Sequence, residues 1–294
     1  MAKAITDIFY ALVPLVVLLV ASVLACIVGY VIFQLIDGQF PLPKIISKAT
    51  QLFLVLSIFS AMAYLKVNKA DLGFAVKAVF IKQLLLGFIV GFVTLMPVFI
   101  VQYGLGIHII DVTRQWTAGL VAEKMAISLS LALLISMIEE PIFRGILFVG
   151  LKKKLPVVAA ILLSSAYYAA LHFINSKTEI PLPQVDLLAC FSLLVDAFAN
   201  VLNPEHLSAF LALLMVGVFL GTLRSEVKDS LGLCIGCHTC WVWQIKMSKD
   251  LFNTDLNSEY VYLVSRYDGV IGPLVTVWLA LAILGYIVVR KAKA

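Results

Sequence analysis

Met137-Ile138-Glu139-Glu140-Pro141-Ile142-Phe143-Arg144 sets three charged side chains inside the apolar run Met125–Gly150. That run is long and hydrophobic enough to cross a bilayer, which takes about 20 mostly apolar residues. A carboxylate or guanidinium at bilayer depth costs roughly 2.5 kcal/mol or more, so such residues are rare and are usually functional. Two further apolar segments each carry one histidine, His172 and His238. Two acids, an arginine and two histidines in membrane helices point to a proton-transfer site.

Composition places that run in an integral membrane protein. The 294 residues are 62% hydrophobic and 13% charged, with a mean hydropathy of +1.05. Soluble domains are nearer half apolar and a quarter charged. The net charge of +5 implies no nucleic-acid partner, because the basic residues flank apolar runs, where positive charge sets topology. The expected surroundings are the lipid bilayer.

Eight spans are predicted: Phe9–Ile36, Thr50–Leu65, Gln83–Tyr103, Met125–Gly150, Pro156–Phe173, Leu207–Leu223, Leu231–Met247 and Val270–Val289. The second and seventh are short or interrupted by polar residues, so seven is the alternative. The run Leu187–Leu202, broken by Asp196 and Asn200, is read as interfacial or re-entrant. With the N-terminus inside, thirteen Lys and Arg fall on the inner face: Lys3, Lys66, Lys69, Lys77, Lys82, Lys152 to Lys154, Arg224, Lys228, Arg290, Lys291 and Lys293. Eight fall outside: Lys44, Lys48, Arg114, Lys124, Lys177, Lys246, Lys249 and Arg266. The bias puts both termini in the cytoplasm. Glu139 then lies about 20 Å along the helix from Lys152, within the membrane. The first span has a basic start and Val23-Leu24-Ala25-Cys26, but its apolar run is too long for a signal core. Linkers and internal repeats are not evident. The expected architecture is one all-α membrane bundle over residues 1–294, with a catalytic core at 125–247. Gly217-x-x-x-Gly221 is a spacing that lets helices approach closely.

Glu140 and Arg144, four residues apart, share a helix face in the favourable acid-before-base order. Arg144 stays charged and needs a buried partner, which Glu140 supplies. Glu139 points about 100° away and is the free carboxylate. A carboxylate in a desolvated site suits a general base. Pro141 removes one helical N–H, frees the Met137 carbonyl and predicts a helix kinked at the site. His172 has Tyr168 one turn before it and Asn175 about one turn after it, either able to orient the imidazole. His238 lies nearer mid-span. Cys234, Cys237 and Cys240 at C-x2-C-x2-C do not converge on one helix, so they are read as small packing residues, not metal ligands. Cys26 and Cys190 complete an odd set that implies no disulfide framework. His108 and His206 are read as solvated loop residues. Asp196 and Asn200 are candidates for lining a cavity.

Glu139-Glu140-x-x-x-Arg144, then Tyr168-x-x-x-His172, then a later helix with His238, resembles the CPBP family. These are intramembrane CAAX-prenyl endopeptidases and bacteriocin-processing or immunity proteins, also called Abi. The resemblance covers roughly Met125 to Met247. It implies an all-α bundle with a conical cavity open to the cytoplasm and membrane, lined by the catalytic helices. It implies that Glu139 activates water with help from His172, that Glu140 pairs with Arg144, and that His238 stabilises the oxyanion. Tyr168 and Trp241 are the expected substrate-contacting residues. The chain departs from the family pattern twice. Tyr168 stands where Phe is usual, and Val242 stands where the last motif, His-x-x-x-Asn, has its asparagine. His238-Thr239-Cys240-Trp241-Val242 is similar instead to a subset associated with bacterial protein sorting, in which Trp241 or Trp243 would donate an indole N–H.

The leading function is therefore an intramembrane endopeptidase that cleaves a membrane-associated protein or lipidated peptide with Glu-activated water and no cofactor. A zinc metalloprotease using Glu139, His172 and His238 is the alternative enzyme, although no H-E-x-x-H is present. A non-catalytic immunity or assembly protein is the alternative without chemistry. A proton-coupled transporter would show inverted repeats. The expected location is a prokaryotic cytoplasmic membrane. The oligomeric state is left open.

Overall fold

A computed structural model describes residues 2–293 apart from Lys177 and Glu179. Lys177, counted above among the outer charges, lies outside the described residues. The chain is a helical membrane bundle: α1 (Ala2–Leu35), α2 (Leu42–Tyr64), α3 (Lys77–Gly104), α4 (Ala118–Glu140), a π-helical segment (Pro141–Leu147), α5 (Phe148–Lys152), α6 (Val157–Leu171), α7 (Leu187–Ala199), α8 (Leu207–Glu226), α9 (Leu231–Leu251) and α10 (Pro273–Lys293). Two short strands, β1 (His108–Ile110) and β2 (Phe252–Thr254), pair antiparallel with Ile109 opposite Asn253.

Six helical stretches among the described residues are long and apolar enough to span, not the eight predicted. α6, the predicted fifth span, has only 15 residues. α9, the predicted seventh, is long enough at 21 residues but too polar. The reason lies in its surroundings. The stretch from Leu231 to Trp241 is buried without a break, so α9 faces other helices and not lipid. An interior membrane helix is selected for small residues that admit close neighbours.

That closeness is reciprocal. A Cβ on Gly87 of α3 would lie 2.1 Å from the Leu233 carbonyl oxygen, and one on Gly236 of α9 would lie 2.0 Å from that of Leu84. Gly217 of α8 packs in the same way on Ser165 of α6, where a Cβ would sit 2.6 Å from the serine Cβ. The spacing Gly217-x-x-x-Gly221 therefore marks a real crossing. The five cysteines are free and buried. Cys234 Sγ lies 3.5 Å from the Leu220 carbonyl, and Cys26 Sγ lies 3.4 Å from that of Cys190, joining α1 to α7.

Several loop readings change. His108 is buried, with Nε2 2.8 Å from the Gly269 carbonyl oxygen. His206 stacks on Phe173 at 4.8 Å and meets Asn200 Oδ1. His108 is therefore not solvated, and His206 is only partly so: each ring packs against aromatic neighbours. Asn200 also donates to the Phe173 carbonyl, while Asp196 accepts from Thr178. Both serve as loop ties, and neither lines the cavities described below.

Candidate active site

Thr117 caps α4 by accepting the Leu120 N–H, and the helix runs unbroken to Glu140. Pro141 cannot supply the next helical N–H. The structure absorbs that loss by widening seven residues, Pro141–Leu147, into a π-helical segment, a feature frequent at functional sites. The turn holds its two functional residues in register. Arg144 Nη1 donates to Glu140 Oε1 at 3.0 Å, with both side chains buried. The guanidinium also lies 4.7 Å from the centre of the Tyr168 ring.

Glu140 has a second partner that the sequence did not reveal. His238 Nδ1 sits 2.7 Å from the same Oε1. A carboxylate paired to arginine accepts, so Nδ1 carries the proton and His238 presents Nε2 to the site. That nitrogen is 3.9 Å from Glu139 Oε2. His172 is oriented by the Tyr168 backbone as well as by its ring. Its Nδ1 lies 2.8 Å from the Tyr168 carbonyl oxygen, an acceptor, so Nε2 is again the free nitrogen. The rings of Tyr168 and His172 meet edge to face at 4.7 Å, and those of Tyr168 and His238 at 6.2 Å.

Glu139 stands apart from this network. Its Oε2 is buried with no hydrogen-bond partner among the described residues. It lies where two chambers meet, both lined by Ile135, Glu139 and His172. One, of about 630 Å³, runs between α1, α2 and the π segment past Leu54, Ile58, Phe143 and Ile146. The other, of about 440 Å³, passes His238, Trp241 and Val242 to Lys246, Lys249, Tyr267 and Asp268. α9 runs antiparallel to α4, as the Trp243–Met125 hydrogen bond and the Lys124–Asp250 ion pair show. The polar chamber therefore leads away from Lys152–Lys154. It is not a route from that lysine-rich end, where the cytoplasmic opening was expected.

The indoles differ from expectation. Trp241 lines the chamber, but its N–H donates to Thr94 Oγ1 at 2.9 Å. Trp243 donates to the Met125 carbonyl at 3.3 Å and packs on Phe88 of the neighbouring α3. Both N–H groups are thus engaged, and neither replaces the amide absent at Val242. Tyr267 and Asp268 were missed because they fall in a polar loop with no periodic signal. Lys246 and Lys249 were counted only as topology charges. Among the described residues, no three His, Cys, Asp or Glu side chains converge as a metal site.

Carboxylate, imidazole and buried ion pair thus meet at the junction of the two chambers. Residues 121–244 match the family model for type II CAAX prenyl endopeptidase Rce1-like proteins. That stretch is thus similar to the Rce1-like domain of the CPBP, or Abi, family. At the family level that similarity is to an intramembrane protease, a hydrolase. No curated protein and no solved structure matches the chain.

Proposed function

We propose that this protein hydrolyses a peptide bond of a membrane-associated protein with water activated by Glu139. The observation that carries the reading is the division of labour between adjacent carboxylates. Glu140 is occupied by Arg144 and His238, whereas Glu139 Oε2 is unpartnered at the chamber junction. A water at the apex of a triangle over Glu139 Oε2 and His238 Nε2, 3.9 Å apart, reaches both within hydrogen-bond distance. Glu139 takes a proton from that water as its oxygen bonds to the scissile carbonyl carbon. The carbonyl π pair moves to oxygen, and His238, having taken a second proton from solvent at Nε2, donates it as a hydrogen bond to the resulting oxyanion. The C–N bond then breaks, the leaving nitrogen takes the proton, and a carboxylate and an amine are released. His172, which lines both chambers with Glu139, shares the proton through its free Nε2. Tyr168 and Trp241 shape the substrate channel, and no cofactor takes part.

The substrate class follows from the chambers. An apolar segment or lipid chain suits the space between α1, α2 and the π segment. The charge count supports both termini in the cytoplasm, and the short loops and compact size fit a prokaryotic cytoplasmic membrane. Val242 is the one observation that favours a non-catalytic assembly or immunity role, since it puts no donor beside His238. The test is purified protein in proteoliposomes with a randomised library of transmembrane and lipid-anchored peptides, in 18O water. Cleaved products carrying 18O in the new carboxyl, absent with Glu139→Gln, are expected. A library left intact by the wild type counts for the non-catalytic reading.

A further inference from the structure

Val242 puts no donor beside His238, and the indoles of Trp241 and Trp243 are engaged. We propose that Tyr267, from the turn before α10 and outside the family-matched segment, supplies that donor through its phenolic hydroxyl. Tyr267 lines the chamber that holds Glu139 and His238. Its ring is fixed edge to face on Phe173 at 5.2 Å. The residue stays 40% exposed at the chamber's edge; partial desolvation, then the Asp268 and Glu139 carboxylates, push its phenol above the ordinary range, so the hydroxyl keeps its proton.

The turn is tied far more than a connecting loop requires. Ser265 Oγ accepts the Tyr267 N–H at 3.3 Å, and Asp268 accepts the Val270 and Ile271 N–H groups at 2.9 and 2.7 Å. Gln102 of α3 donates to the Val270 carbonyl at 3.0 Å, and His108 Nε2 meets the Gly269 carbonyl at 2.8 Å. Gly269 supplies the positive φ of 77° that closes the turn, a geometry glycine adopts without strain. Buried Gln102 and His108 thus have a use that the peptidase residues leave unexplained. They hold the backbone of the turn that carries Tyr267 into the chamber lining. A preorganised donor of this kind is what a developing oxyanion requires.

This inference rests on the peptidase reading, and its test separates the two. Wild type, Tyr267→Phe and the double variant Tyr267→Phe/Val242→Asn are compared in proteoliposomes on the peptide the library identifies. Phenylalanine keeps the Phe173 contact, and thermal midpoints verify folding. Losing one donor typically costs about 10²–10³-fold in kcat, and Tyr267→Phe is expected to lose that much with KM little changed. Restoring an amide at position 242 is expected to recover at least about tenfold of it, a rescue that a purely structural role would not give. A wild type that cleaves no library member overturns the peptidase reading and this inference with it. A cleaving wild type beside an undiminished Tyr267→Phe, or a loss that Val242→Asn leaves untouched, overturns this inference alone.

Discussion

Adjacent glutamates of identical chemistry hold different jobs here because a helix turns about 100° per residue. Glu140 is buried and bridges Arg144 and His238 through one oxygen, whereas the Glu139 side chain keeps 31% of its surface exposed. Glu139→Gln is expected to abolish cleavage with folding intact. Glu140→Gln leaves Arg144 buried and unpaired, so it is expected to lose about 3–5 kcal/mol of stability. Equal folded yields and equal thermal midpoints for the two variants would contradict this split. Trp241 makes a second residue-scale case. Its indole N–H joins α9 to α3 through Thr94, a bond worth about 1 kcal/mol. Trp241→Phe and Thr94→Val are expected to lower the thermal midpoint non-additively in a double-mutant cycle. Strict additivity would mean that the bond contributes nothing.

At the scale of elements, the decisive device is the glycine-mediated crossing of α3 and α9. It brings two backbones together so that His238 is set beside the charged turn of α4. Gly236→Ala places a methyl carbon on the Leu84 carbonyl, and the helices must separate. It is expected to cut folded yield and activity together. A Cβ on Gly285 of α10 would meet nothing within 4 Å, so Gly285→Ala is expected to be neutral. Folded yields from chromatography in detergent compare the pair, and a tolerated Gly236→Ala would refute the crossing as the source of the site's geometry. The π segment belongs to this scale too. A proline already legible in the sequence widened the helix over seven residues where a kink was the simpler expectation.

Across the whole molecule, electrostatics separate the membrane interior from its faces. Asp71, in the loop after α2, forms an ion pair with Lys153 at 2.8 Å. The hydrogen bond from Lys153, then that from the Asn68 N–H, hold its carboxyl below the ordinary range. A carboxyl lowered in the folded state stabilises above its unfolded pKa of about 3.9, and that stability is lost as pH falls through the folded value. The gap in thermal midpoint between wild type and Asp71→Asn is therefore expected to be present at neutral pH and to shrink as the pH falls below about 4. A gap independent of pH would remove the pair from the account. The proposed chemistry also uses no metal, so cleavage is expected to survive dialysis against chelators. One tightly bound zinc per chain, lost together with activity, would move the mechanism to metal-activated water.

The membrane class, the three motif segments and the Glu140–Arg144 pair were all legible in the sequence, because each rests on local facts: apolar run length, charge at bilayer depth and helical spacing. The span count was not legible at α9, since hydropathy measures composition, and an interior helix screened by protein has no need to be apolar. The partner of His238 was equally out of reach. Ninety-eight residues separate it from Glu140, and only the packing of α9 on α4 brings them together. Tyr267 lies in a polar loop whose tie to Gln102 and His108 spans more than 150 residues. Local sequence determined which groups enter the membrane and which face of a helix carries them. Tertiary packing decided which groups meet, because hydrogen bonds and close glycine contacts depend on distances that spacing along the chain does not encode.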